Sequence, residues 1–455
     1  MQRVSQVLTR LDVAFDDPKS VASAGLLLPM SLAQQLNIEP TINTVLPSTG
    51  YGGHRNGGAK ALTMVSSFLA GGEFISDVSM LASGSTRRVL GHRAVSASRC
   101  GQWLRELTYD DTVGLTQVNT DLMVQAWQCG LAPAPDGGAH PKDTSRLVLD
   151  IDSTVIETYG THKEGTSKRN YQGIKGYHPL IMAEASTGQV LCGMLRNGNA
   201  APAKDAAVFL NDTFTQIAET LTARDETVLR ADSGFYTKKV IDTCVAHNVG
   251  FSITVRNNTK IRQVIASINQ DAYHTVPTTG FQQMAVTEVP YTVTGRTGKD
   301  PVECRLIVRR TTVPADTGEP QSRLFDLVDY RGFVTNLKGK ATNLDRFHRK
   351  HAVIETVIRD LKYGMALNHM PSGSYHANAG WLQLNILAHN LARWTGRLIS
   401  DTPMTTKTLR HRYLNCPGRI TRNSRKDVLH LPTNWPWKTK YVTALNRIRT
   451  LQTAH

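Results

Sequence analysis

Paired cysteine spacing is the first thing this chain lacks. Its six cysteines (Cys100, Cys129, Cys192, Cys244, Cys304 and Cys416) are scattered, with no CxxC or CxH among them. That argues against structural zinc and against a disulfide framework, and leaves free thiols as the expectation. No apolar run approaches the roughly 20 residues a membrane-spanning helix needs. The opening stretch MQRVSQVLTRLDVAFDD has no signal-peptide apolar core. Internal repeats and low-complexity tracts are also missing. These absences predict a cytoplasmic, globular protein with no membrane partner.

What is present is length and positive charge. A chain of 455 residues, 40% hydrophobic and 20% charged, can bury a large core in two or three structural units. Its 52 Lys and Arg against 37 Asp and Glu leave a net charge of +15. That surplus favours polyanions, either nucleic acid or an acidic membrane surface. It gathers at the end of the chain. From Lys407 on come Arg410, Arg412, Arg419, Arg422, Arg425, Lys426, Lys438, Lys440, Arg447 and Arg449, opposed only by Asp427. Trp435, Trp437 and Tyr441 interleave with this charge, as suits a surface that tracks a phosphate backbone. A merely solvated basic tail is the plainer alternative.

Along the chain, residues 1–143 read as a helical region for DNA binding or dimerisation. AKALTMVSSFLAGG and NTDLMVQAWQCG carry apolar residues at helical spacing. SASRCGQWLREL, 96–107, opens on cap-type residues and fits either a short recognition helix or an ordinary structural one. The Pro- and Gly-rich APAPDGGAHPKD then reads as a linker. Residues 144–399 alternate differently. RLVLDID, HPLIMAEAS and QVLCGMLRN read as strands, KDAAVFLNDTFTQIAETL as a helix, TVLRADSGF as a strand, TKKVIDTCVAHN as a helix and GFSITVRN as a strand. Beyond Asn258 the alternation stops, and three strand-like runs predict a β-rich insertion over about 259–336. A long helix is expected from a cap at Asn343 to about Gly364, with another over 381–399. Residues 400–455 are read as a basic DNA-contacting region.

Three acids stand out. Asp150 and Asp152 lie two apart on one strand and share a face. Asp152 falls where the strand should end, and Asp232 just past the apolar half of another. Carboxylates at strand ends are accessible yet rigidly held, which suits metal binding, although a lone strand-end Asp is more often a turn residue. On the later helix, a step of about 100° per residue places His351, Glu355, Arg359 and Lys362 within roughly 60° of His348. Val353, Ile354, Val357, Ile358 and Leu361 gather opposite. A solvated face with a Glu355–Arg359 pair is the bland alternative. Together, Asp152, Asp232 and Glu355 offer hard oxygen ligands for two Mg²⁺, with Mn²⁺ able to substitute. Such a pair can drive phosphodiester cleavage.

These residues resemble a known group. An acid on the first strand, on the fourth and on a late helix is similar to the ribonuclease-H-like core of bacterial insertion-sequence DDE transposases. Asp152-Ser153-Thr154 matches their first motif, and Arg230-Ala231-Asp232-Ser233-Gly234-Phe235 their second. Their third, Tyr-x2-Arg-x3-Glu-x6-Lys, is met by Glu355 and Lys362, with His348 and His351 at the Tyr and Arg positions. The resemblance implies a ribonuclease-H-like mixed sheet of α/β class. It also implies an enzyme, a metal-dependent transposase and endonuclease, with Asp152, Asp232 and Glu355 as catalytic and metal residues. It implies cleavage at terminal inverted repeats, transfer into target double-stranded DNA, and a homodimer or higher oligomer near the nucleoid. His348, His351, Arg359, Lys362, Arg419, Arg422, Arg425 and Lys426 are the expected DNA contacts, and Asp150 a second-layer or alternative ligand.

Two rivals compete. LVLDIDSTV also fits the opening of haloacid-dehalogenase-type phosphatases, with Asp150 as a phosphorylated nucleophile. The paired-acid motif that class needs later is missing from RADSGFY. A catalytically silent, DNA-binding relative of a transposase is the other.

Overall fold

The computed structural model describes residues 11–46, 56–131, 146–160, 162–168, 170, 172–220, 226–278, 281–295, 300–315, 326–423 and 426–451. The expected linker at 132–143 and Arg425 lie outside them.

A nine-stranded mixed sheet organises the chain. Its strands are β1 (Arg146–Ser153), β2 (Leu180–Glu184), β3 (Val190–Met194), β4 (Glu226–Ala231), β5 (Gly250–Thr254), β6 (His274–Val276), β7 (Gln283–Val293), β8 (Val302–Val313) and β9 (Leu327–Thr335). The order is β3-β2-β1-β4-β5-β9-β8-β7-β6. β1 runs antiparallel to β2 and parallel to β4, and β4 runs parallel to β5. Leu147, Leu149 and Ile151 are buried along one face of β1, so Asp150 and Asp152 must share the other.

The strands after Asn258 continue this same sheet, because β9 pairs antiparallel with β5. The expectation of three strands there was too simple. An extra helix, Thr259–Ala266, starts on the Asn258 cap, whose side chain accepts from the Ile261 N–H. β6 is also additional. Ile261 is the helix's one buried residue, so its apolar stripe is too thin to announce itself in sequence.

The main helices are α1 (Gly57–Ala70), α2 (Ala97–Glu106), α3 (Tyr109–Gln128), α4 (Ala206–Thr220), α5 (Lys238–Ala246), α6 (Ala341–Arg349), α7 (Val353–Tyr363), α8 (Tyr375–Ile399) and α9 (Lys438–Arg449). Helix α8 packs against α1, α2, α3, α9 and the edge strand β3. Two of its polar side chains bond to that edge. Asn390 accepts from Val190 N at 2.9 Å and donates back to Val190 O at 2.8 Å, and Gln383 Nε2 donates to Gly193 O at 2.7 Å. An open strand edge is thereby closed by side chains.

The basic end of the chain is folded rather than trailing. Gly418–Asn423 pairs with Lys426–His430 and with Ser20–Val21. Tyr441 Oη donates to Ala24 O at 3.3 Å, and Arg410 donates to Phe68, Leu69 and Gly364 carbonyls. The segments around Ser20 and Arg419, far apart in sequence, therefore share one packed unit.

Candidate active site

The acids take their places from backbone register. Ile151 on β1 stands opposite Ala231 on β4. One residue further, Asp152 and Asp232 leave neighbouring parallel strands side by side, with strands about 4.8 Å apart. Asp152 closes a turn onto itself, its Oδ1 accepting from Ser153 N at 2.6 Å. Asp232 caps the short Ser233–Phe235 helix, Oδ1 accepting from Gly234 N at 2.9 Å. Among the described residues, neither aspartate gives its second oxygen a protein donor.

Glu355 arrives on α7, which packs over β1 and β2 through Ile354, Val357, Ile358 and Leu361. Val353, expected on that stripe, is 40% exposed at the helix start. The long helix is in fact two. It begins at Ala341 after Lys340, which makes no side-chain cap, so Asn343 lies inside it. Between α6 and α7 runs a tight 3₁₀ turn, Lys350–Ala352. Each 3₁₀ residue turns about 120° rather than about 100°, so the shared face drawn from His348 slips by about 60°.

The histidines diverge accordingly. His348 puts Nδ1 on Ser252 Oγ at 2.8 Å and Nε2 on Thr254 Oγ1 at 2.9 Å, with its ring stacked on Phe333 at 4.1 Å. Burial above all, then the nearby positive charges, holds its pKa down at about 3. Neither ring nitrogen is left for a phosphate, which corrects that expectation. His351 instead meets Asp150, Nδ1 to Oδ1 at 3.0 Å.

Asp150 itself is 1% exposed and holds Arg230 in a two-point pair, 2.7 Å at each oxygen. Arg230 also donates to Phe347 O at 2.7 Å and lies over the Phe347 ring. Strand β1, strand β4 and the α6–α7 joint are thus tied beneath the acids. Arg230 was overlooked in sequence. Its signal was positional, since Arg230 and Asp150 each precede an acid by two residues and are register partners.

Asp152 is the electrostatic focus. Burial raises its pKa to about 6; the Ser153 N–H opposes this, the Asp232 charge adds to it, His351 opposes and Glu355 adds. Asp232 and Glu355 are therefore both near enough for their charges to act on Asp152. The three are neighbours without being a finished cage. Among the described residues, no three His, Cys, Asp or Glu side chains stand close enough to hold a metal ion as they are placed. The donor set nevertheless fits a hard dication. It consists of carboxylate oxygens, with one oxygen of each aspartate free of protein donors and only like charge between the acids.

The other expected contacts spread out. Lys362 Nζ donates to Val155 O at 2.7 Å, fastening α7 to the segment after β1, and burial lowers its pKa. Arg359 is exposed on α7. Arg419 pairs with Asp17 at 3.4 Å, while Arg422 and Lys426 stand exposed on the terminal hairpin. Among the described residues no helix is long and apolar enough to cross a membrane.

Fold and site together define a mixed α/β protein with an acidic site at the carboxyl ends of adjacent parallel strands. Residues 7–453 match the family described as Transposase DDE domain group 1, and the chain belongs to that family. No curated protein matches the sequence. A similar solved structure is the cryo-EM structure of the piggyBac transposase synaptic complex with hairpin DNA. Identity is 10% and the TM-score 0.43, over 96% of this chain and 84% of that one.

Proposed function

We propose that this protein binds the ends of an insertion element, cleaves DNA phosphodiesters there and joins the freed 3′-hydroxyls to target DNA. Asp152, Asp232 and Glu355 are its catalytic carboxylates. The observation that carries the reading is that Asp152 and Asp232 directly follow the paired residues Ile151 and Ala231 of adjacent parallel strands, with the half-buried Asp152 carboxyl shifted upward by burial and, in part, by the charges of Asp232 and Glu355. These three would hold two Mg²⁺ ions, or Mn²⁺, which when bound supply an activated nucleophile and charge relief at the leaving oxygen.

The chain's own part is positioning. The sheet holds the aspartates rigidly, and the Asp150–Arg230–His351 tie sets the start of α7 and with it Glu355. Exposed Arg359, Arg422 and Lys426 offer charge to the phosphate backbone of double-stranded DNA. In cleavage a water oxygen bonds to phosphorus as the P–O3′ bond breaks, leaving a 3′-hydroxyl and a 5′-phosphate. In transfer that hydroxyl attacks a target phosphodiester and displaces its 3′-oxygen. Terminal inverted repeats are the DNA ends in this reading, and the working form is a homodimer or higher oligomer at the nucleoid.

The test uses duplexes carrying the DNA that flanks the reading frame. Asp152→Asn, Asp232→Asn and Glu355→Gln should each abolish nicking in Mg²⁺ and leave duplex binding nearly unchanged. Full nicking by any one of them removes that residue from the site. Binding without nicking by the unmodified chain would instead identify a silent relative. A phosphatase reading has little support, since both oxygens of Asp150 are engaged by Arg230 inside the protein.

A further inference from the structure

Residues 11–17, Leu-Asp-Val-Ala-Phe-Asp-Asp, are all exposed. Leu11 is 63% exposed, Val13 77% and Phe15 103%, so Phe15 touches almost nothing. None of residues 11–16 has a hydrogen-bond partner among the described residues. The stretch is tied down only where it ends. Lys19 N donates to Asp17 Oδ1 at 2.9 Å, Ser20 Oγ to Asp17 O at 2.9 Å, and Ser85 Oγ to Pro18 O at 2.9 Å. Large apolar side chains alternate with acids here, Leu11, Val13 and Phe15 against Asp12 and Asp16. That period of two is the pattern of a strand with one apolar and one acidic face. Among the described residues no strand pairs with it.

The small sheet beside it has a complementary edge. Its order is Ser20–Val21, Gly418–Asn423, Lys426–His430, and the outer side of Lys426–His430 is unpaired among the described residues. Ile420 is buried and its register partner Leu429 packs against the core, so both lie on the inner face. Thr421 and His430 are hydrogen-bonded at 2.8 Å on the outer face, which also carries Arg419 and Lys426. An antiparallel strand with Val13 opposite Leu429 places Asp16 opposite Lys426 and Asp12 opposite His430, with Phe15 diagonal to Leu429. Apolar side then meets apolar side and acid meets base, and a slip of one residue reverses both. Within the chain Asp17 already pairs with Arg419, at 3.4 Å.

A chain cannot supply this strand to itself. The open edge lies three strand spacings from Ser20, about 14 Å to the side, and a further four residues along. The four residues from Asp16 to Ser20 reach at most about 14 Å in all. We infer that the arm of residues 11–16 adds as a fourth strand to the Lys426–His430 edge of a second copy, reciprocally, as the interface of a two-fold dimer. This deepens the oligomer of the proposed function by naming its surface, and it asks nothing of Asp152, Asp232 or Glu355. Lys426, offered to DNA above, is then shared with the arm.

The test is the mass of the full-length chain in solution without DNA, by sedimentation equilibrium. The unmodified chain should dimerise. Asp16→Lys and Lys426→Asp should each raise the dimer Kd by about tenfold or more. Mixed in equal amounts, these two variants should regain the unmodified dimer, because each arm then meets the opposite charge on the other copy. Phe15→Ser should weaken association in the same direction. All three positions are exposed, so folding is not at stake. A monomer at every concentration, a Kd unmoved by Asp16→Lys, or no recovery on mixing overturns the inference. Mg²⁺-dependent nicking of duplex reports on the three carboxylates separately, so loss of one reading leaves the other standing.

Discussion

Strand β1 carries two carboxylates with opposite fates, two residues apart. Asp150 is sealed in and fully answered by Arg230 and His351. Asp152, at the strand end, has one backbone N–H as hydrogen-bond donor, His351 as its one favourable charge, and two acids that repel it. A buried charge that is paired and hydrogen-bonded holds elements together. One left among like charges with an oxygen to spare is placed to receive something positive. The inner half of β1 is thus construction, its end is where the proposed function puts the chemistry, and the division is enforced by register rather than by residue type.

The largest expected effect breaks the comparison at its chemical end. Asp152→Asn, Asp232→Asn or Glu355→Gln should cut the nicking rate by more than about a thousandfold, while the urea midpoint holds or rises, since each removes a repelling charge. A lower midpoint with nicking intact would reverse the two roles.

Next comes the inner end. Asp150→Leu strands the Arg230 guanidinium in the interior and should cost about 3–5 kcal/mol of unfolding free energy, read by urea denaturation. A stability unchanged within error would mean that Asp150 is not the anchor the geometry makes it.

A smaller effect concerns His348, which the structure moves from the chemical group to the structural one. Its folded-state pKa of about 3 lies below the ordinary 6.5, so unfolding takes up a proton between those values. Its contribution is fully present above the unfolded value and is lost as pH falls toward about 3. The stability advantage over His348→Gln should therefore shrink by about 1–3 kcal/mol from about pH 7 to about pH 4. A constant difference across that range would show a ring still open to solvent.

The smallest effect belongs to the exposed hairpin. Arg422→Ala should alter stability by no more than about 0.5 kcal/mol, yet reduce the slope of log affinity for duplex DNA against log salt by about 1. An unchanged slope takes Arg422 off the DNA path.

Much of this was legible beforehand, and the failures have identifiable causes. RLVLDID and TVLRADSGF announced β1 and β4 because short apolar runs ending in acids leave few alternatives to a buried strand. The Thr259–Ala266 helix stayed hidden because a helix burying one residue has almost no periodicity to read. The common face of His348, His351 and Glu355 dissolved at a 3₁₀ turn that no residue in Lys350–Ala352 advertises. Arg230 was in plain view inside a quoted motif, but its meaning lay on another strand.

By itself, then, the order of residues determined where strands end in carboxylates, which helix carries Glu355 and how positive the chain is. Those are local consequences of side-chain chemistry and of periods of two and 3.6 residues. Only the tertiary structure decided that Asp150 faces Arg230 while Asp152 sits beside Asp232, that His348 turns inward, and that Ser20–Val21 pairs with Gly418–Arg419 in one small sheet. Contacts between residues far apart in the chain depend on register and burial, which no local window contains.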